Sequence, residues 1–182
     1  MSYRPITDFW FLTRAKLKDG QKYYGAYLGG FPERARVLIG VPLNQPLLHA
    51  CGGMAKHYPY KRGFGPFDQT ADIDQSVQPD FCCDLEESFP HQRNGESWPG
   101  ILIDPPYSEV DAKKYLFGTY PNPNRLVSNA VKALVHNGKV GIIHYVIPRC
   151  PPTAKFVACV GIGCGFNNRI RVFSVFEKEG RS

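Results

Sequence analysis

The sequence predicts an α/β domain: a mostly parallel sheet with helices on both faces and an antiparallel strand at its C-terminal end. Short apolar runs of the kind that buried parallel strands need alternate with helical stretches. The last two runs are parted only by a Gly- and Asn-rich turn, as an antiparallel pair requires. The 182 residues, 43% of them hydrophobic, suffice for one core and predict a single domain. Residues 1–40 read as a lead-in and a helix, and residues 46–178 as the sheet-bearing core.

Residues 1–30 are rich in aromatics and glycine, and read as irregular or partly helical. Pro32 suits the first turn of a helix from Glu33 to about Gly40. The strand candidates are Leu47–Cys51, a weaker Thr70–Ile73, Phe81–Cys83, Ile101–Ile103, Val140–Ile147, Phe156–Val160 and Ile170–Phe176. Ser108 is placed to cap a helix reaching about Phe117, with Glu109 and Asp111 in its first turn. A second helix from about Asn124 to His136 carries Leu126, Val127, Ala130, Val131 and Leu134 on one stripe, with Asn137-Gly138 as its stop. Gly161–Asn168 forms the final turn.

The net charge of +6 hides a segregation: +7 over residues 1–62, −10 over 63–111 and +9 over 112–182. Basic ends of this kind suit contact with a polyanion. No run of about 18 apolar residues exists to span a membrane as a helix, and Met1–Trp10 does not read as a secretory signal, so a cytoplasmic location is expected. The six cysteines form no Cys-x-x-Cys pair and predict neither a disulfide framework nor a structural zinc site.

In open α/β sheets ligands bind outside the carboxyl ends of the strands. There the first strand candidate runs into Cys51-Gly52-Gly53, where glycines let backbone approach a ligand. The turn is neither Gly-x-Gly-x-x-Gly nor a phosphate loop with Lys-Ser/Thr, which leaves dinucleotide oxidoreduction and nucleotide hydrolysis unsupported. Asp72 and Asp74 end the second strand, where a carboxylate can accept both ribose hydroxyls, and Asp84 ends the third, within reach of an adenine amine. The fourth strand leads into Asp104-Pro105-Pro106-Tyr107. Two prolines stiffen the chain and remove two N–H donors, leaving carbonyl acceptors beside a carboxylate and suiting a planar –NH2; Tyr107 adds a face for a base.

Between Leu47 and Lys178 the sequence resembles the class I S-adenosylmethionine-dependent methyltransferases, in the amino-methylating branch typified by adenine DNA methylases. Asp104–Tyr107 matches the catalytic Asp-Pro-Pro-Tyr motif of that branch. Ala50, Cys51, Gly52 and Gly53 take the place of its cofactor loop, Asp72 that of its ribose-binding acid, and Asp84 with Leu85 that of its adenine contact. Asn137-Gly138-Lys139 matches the turn into the fifth strand, and Val172–Phe176 the last one. His49 and Cys51 stand where an acid and a richer glycine pattern are usual. Pro59, Gly63, Gly65 and Pro66 shorten or break the helix that normally follows.

The resemblance implies a Rossmann-like, seven-stranded fold with S-adenosyl-L-methionine as cofactor and no metal. It further implies direct transfer of the methyl group to an exocyclic amine, N6 of adenine in DNA before cytosine amine, RNA or a protein amide. Asp104 and the Pro105 carbonyl would hold the amine, and Tyr107 would stack on a flipped-out base. No segment is long enough for a separate target-recognition domain, so a second copy or a recognition subunit is a candidate partner. A non-catalytic nucleic-acid-binding or partner subunit is the alternative reading. His144 reads as a core residue of its strand, Tyr145 carries no assigned role, and Arg169 and Arg171 read as surface or as phosphate contacts.

Overall fold

A computed structural model describes residues 4–13, 27–57, 63–115, 120–165 and 169–180. Among them the chain order is β1 (Ile6–Leu12), α1 (Phe31–Ile39), β2 (Leu48–Ala50), β3 (Gln69–Asp72), β4 (Phe81–Cys82) and β5 (Trp98–Ile103). There follow α2 (Glu109–Ala112), α3 (Pro123–Ala133), β6 (Leu134–His144), β7 (Ala154–Cys164) and β8 (Ile170–Lys178). The strands form one sheet in the order β1-β7-β8-β6-β5-β2-β3-β4. Only β8 runs against its neighbours, pairing antiparallel with both β6 and β7.

The two faces are covered by different elements. On one, Phe31, Ala35 and Ile39 of α1 pack with Leu102, Ile143, Phe173 and Val175. On the other, Leu126, Val127, Ala130 and Val131 of α3 pack with Ile101, Ile103, Val140, Ile142 and Phe176. Each fully buried aliphatic side chain contributes ~1.5–3 kcal/mol, so the α3 stripe alone anchors that helix. Pro123 lies within its first two residues, and Asn122 accepts the N–H groups of Asn124 and Arg125 as its cap. No helix among the described residues is long and apolar enough to cross a membrane.

Several expectations need correction. The sheet has eight strands, because Ile6–Leu12, expected to be irregular or helical, is an edge strand parallel to β7. Trp10 and Leu12 enter the core, while Phe9 and Phe11 lie over Gly161 and Gly163, where any Cβ would collide with their rings. The helix placed at Asn124–His136 ends at Ala133, and β6 begins at once with Leu134. Asn137, with φ +60°, sits inside that strand rather than stopping a helix, and the β5–β6 register shifts between Trp98 and Gly100. β6 also ends at His144 rather than Ile147. Finally, α2 is a single turn ending at Ala112; the rest of the expected helix falls partly on 116–119, outside the described residues. β7 runs on to Cys164, inside the expected final turn, whose residues 166–168 are likewise outside them.

Candidate active site

The register of the central strands brings the predicted residues to one edge. Ala50 pairs with Ala71 on one side and Ile103 on the other, so β2, β3 and β5 end together. Beyond that row the backbones stay tied: Asp104 N–H donates to Ala50 O at 3.2 Å, Gly52 N–H to Ala71 O at 3.3 Å, and Cys83 N–H to Asp72 O at 3.1 Å.

The Cys51–Gly53 turn is built by backbone constraint. Cys51 and Gly53 both have positive φ. A Cβ on Gly52 would lie 2.8 Å from the His49 carbonyl oxygen, whereas Gly53 faces open space. Asp72 fixes the turn from the next strand: Oδ2 accepts the Gly53 N–H at 2.8 Å and Oδ1 the Asp74 N–H at 3.0 Å. Burial raises the pKa of Asp72 against those backbone hydrogen bonds. Asp74 accepts the Ser76 N–H as a helical-turn cap, and Asp84 accepts the Glu86 N–H; Leu85 is buried behind it. Burial also pushes the Cys51 thiol well up, leaving it protonated and inert. The helix expected to be short or broken is one 3-10 turn, Ala55–His57, with 58–62 outside the described residues.

Asp104 and Tyr107 meet directly. Tyr107 Oη donates to Asp104 Oδ1 at 2.6 Å. Burial raises the Asp104 pKa to about 6, while the Tyr107 hydrogen bond and the Arg171 cation work the other way. Pro105 is buried and Pro106 partly buried beside them. The Tyr107 ring is not an isolated face, because Arg171 Cζ lies 5.1 Å over its centroid and the Tyr145 ring is 5.0 Å away. Arg169 extends the stack, donating to Tyr145 Oη at 2.9 Å. His144 meets Tyr107 edge-on at 5.8 Å. Burial lowers its pKa to about 4, so the ring is neutral; Nδ1 accepts the Val146 N–H and Nε2–H points to Tyr120 Oη at 3.4 Å.

Sequence reasoning assigned Tyr107 to a base and read Arg169 and Arg171 as surface or phosphate contacts, but did not foresee that they form one stack with Tyr145. Arg171 lies in β8, Arg169 just before it, Tyr145 just after β6 and Tyr107 in the turn after β5; β8 reaches this edge with its first residues because it is antiparallel. A second cluster was also missed. His49 shares a hydrogen bond with Asp68 through Nε2 at 3.2 Å and with Tyr27 through Nδ1 at 3.1 Å. Asp68 also receives the Arg36 guanidinium. Only the histidine in an apolar strand hinted at it.

No family model matches the chain, and no curated protein matches its sequence. Solved structures do. TrmN from Thermus thermophilus is similar with a TM-score of 0.58 and 17% identity, over 84% of this chain and 49% of that one. The chain thus spans about half the length of TrmN. The N-methyltransferase NodS from Bradyrhizobium japonicum WM9 is similar with a TM-score of 0.51 and 10% identity, over 84% of this chain and 98% of that one. The chain has the methyltransferase fold. A TehB-like S-adenosylmethionine-dependent methyltransferase from Corynebacterium glutamicum agrees, with a TM-score of 0.50 and 15% identity over 88% of this chain and 90% of that one. In this fold the strand-end residues above lie where the sheet presents its carboxyl edge.

Proposed function

We propose that the chain transfers a methyl group from S-adenosylmethionine to an exocyclic amine of nucleic acid, N6 of adenine in DNA. The observation that carries this reading is the partly buried Asp104, followed by two prolines and tied to the residue before the Cys51–Gly53 turn by its backbone N–H on Ala50 O. The residues present fit the cofactor. Both Asp72 oxygens are oriented by backbone donors and keep lone pairs for hydroxyls, and the space before Gly53 is open. The segment from 63 to 111, net −10, supplies β3, β4 and β5 of this half of the edge and suits a sulfonium cation; the basic segment from 112 to 182 supplies β6, β8 and β7 beyond β5 and suits a polyanion.

When bound, S-adenosylmethionine supplies a methyl group made electrophilic by its sulfonium. Asp104 accepts an N–H of the incoming amine and stabilises positive charge growing on that nitrogen. The Pro105 carbonyl is a second acceptor, and neither proline offers an N–H to repel the amine. Orientation in this corner lowers the barrier further. A base in a duplex has to be flipped to reach it, and Tyr107, Tyr145 and Arg169 are the groups it would meet.

Thermal unfolding with added S-adenosylmethionine tests the cofactor assignment: at 100 times its dissociation constant it adds about 2.7 kcal/mol of stability. Labelled methyl groups should then appear in DNA as N6-methyladenine. An unshifted transition at millimolar cofactor, or label found in no nucleic acid, ends the proposal.

A further inference from the structure

Arg171 stands out among the groups at this edge. Its Nη1 donates to Cys164 Sγ at 2.7 Å and its Cζ lies over the Tyr107 ring, but its Nε–H is buried and meets no acceptor among the described residues. Buried donors are almost always paired, so an unpaired one beside a candidate site points to a ligand atom. Asp104 and Tyr107 face it from β5, Cys164 from β7 and Tyr145 from β6. The guanidinium is permanently charged, planar and donor-only, while the Asp104 carboxylate is acceptor-only.

We infer that Arg171 sets acceptor specificity by donating a hydrogen bond to the atom next to the amine that Asp104 receives. The inference rests on the reading of this site as an amine-methylating one. Beside Tyr107, Asp104 and Arg171 offer an acceptor and a donor, the complement of an edge bearing –NH2 beside a lone pair. Adenine presents that edge as N6 and N1. An isolated alkylamine does not, and leaves the Nε–H buried and unmatched, which is how a polar site rejects a near-analogue. A donor on N1 also engages the ring lone pair that competes with the amine for the methyl group.

The test uses the full chain and two short single-stranded oligonucleotides, one with a single adenine and the other with 1-deazaadenine, in which N1 is replaced by C–H and the amine is kept. Wild type should lose about tenfold or more in kcat/KM on the 1-deaza substrate. Arg171→Met should fall to about that level on adenine and discriminate far less between the two; Arg171→Lys should recover part of the preference. Comparing variants on the same pair cancels the intrinsic difference in amine reactivity, and retained S-adenosylmethionine binding shows that the variants fold. Equal discrimination by wild type and Arg171→Met overturns the inference while methyl transfer stands. No transfer by wild type to either oligonucleotide overturns the methylation reading, and the inference falls with it.

Discussion

Two aspartates at opposite ends of the central strands, Asp68 before β3 and Asp104 after β5, show what decides the state of a carboxylate. The Asp68 side chain is fully enclosed, yet its pKa is lowered. Asp104, a residue half-buried overall as Asp68 is, has a pKa raised to about 6. Burial pushes both upward, so the donors make the difference. Asp68 collects the Arg36 guanidinium, the N–H groups of Leu47 and Gly65, and His49 Nε2. Asp104 has the Tyr107 hydroxyl and the Arg171 cation at longer range. A carboxylate so fully donated to ties α1, β2 and the approach to β3 into one unit. One left with lone pairs at a strand end is available to a ligand.

The sharpest way to break this contrast is Asp68→Ala. It leaves the buried Arg36 without its carboxylate, with backbone carbonyls as its remaining acceptors, and removing one member of a buried pair costs ~3–5 kcal/mol. Urea unfolding should show a loss of that size; a loss below about 1 kcal/mol would make the cluster incidental. Asp104→Ala should do the opposite, lowering methyl transfer by about 10²–10³ with little loss of stability, as expected when a group that stabilises transition-state charge is removed. Retained turnover would move the chemistry elsewhere.

The same pair separates by pH. A carboxyl raised in the folded state binds more protons there than when unfolded, so Asp104 takes stability away as pH rises from about 4 through about 6. Asp68, lowered, supplies stability that is lost only as pH falls below its ordinary value of 3.8. Asp104→Asn should therefore remove that loss, so that stability rises more steeply between pH 4 and 6 than in wild type. The rise is driven by His144, whose pKa burial lowers to about 4, and opposed by Asp72, which burial raises. An unchanged profile in that variant would place the Asp104 carboxyl in water.

The regions also differ in how far the sequence disclosed them. Asp72 and the Asp104–Tyr107 motif follow apolar strands directly, so chain position alone puts them at the ligand edge. Arg171 lies 64 residues beyond Tyr107 and arrives only because β8 inserts antiparallel between β6 and β7. Asp68 and Arg36 meet across 32 residues through packing that no local pattern records. β1 was hidden for a different reason. Phe9, Trp10 and Phe11 are consecutive aromatics, which erase the two-residue alternation of a strand, and their second face is accommodated by Gly161 and Gly163 on a distant partner. The helical stripe of α3 likewise continued through Leu134, although that residue already belongs to β6.

The smallest expected effect is the most informative about how Tyr107 acts on Asp104. Tyr107→Phe keeps the ring under Arg171 and beside Tyr145 but removes the hydroxyl that donates to Oδ1. That hydrogen bond favours the ionised carboxylate, so its loss raises the Asp104 pKa further. A net hydrogen-bond contribution of about 1 kcal/mol corresponds to about 0.7 pH unit. If the ionised form is the one that receives the amine, the acidic limb of the kcat profile should move to higher pH by roughly that amount, with the alkaline plateau unchanged. A drop that is equal at every pH would instead mean that the hydroxyl touches the acceptor itself, and that Asp104 holds its charge through Arg171 alone.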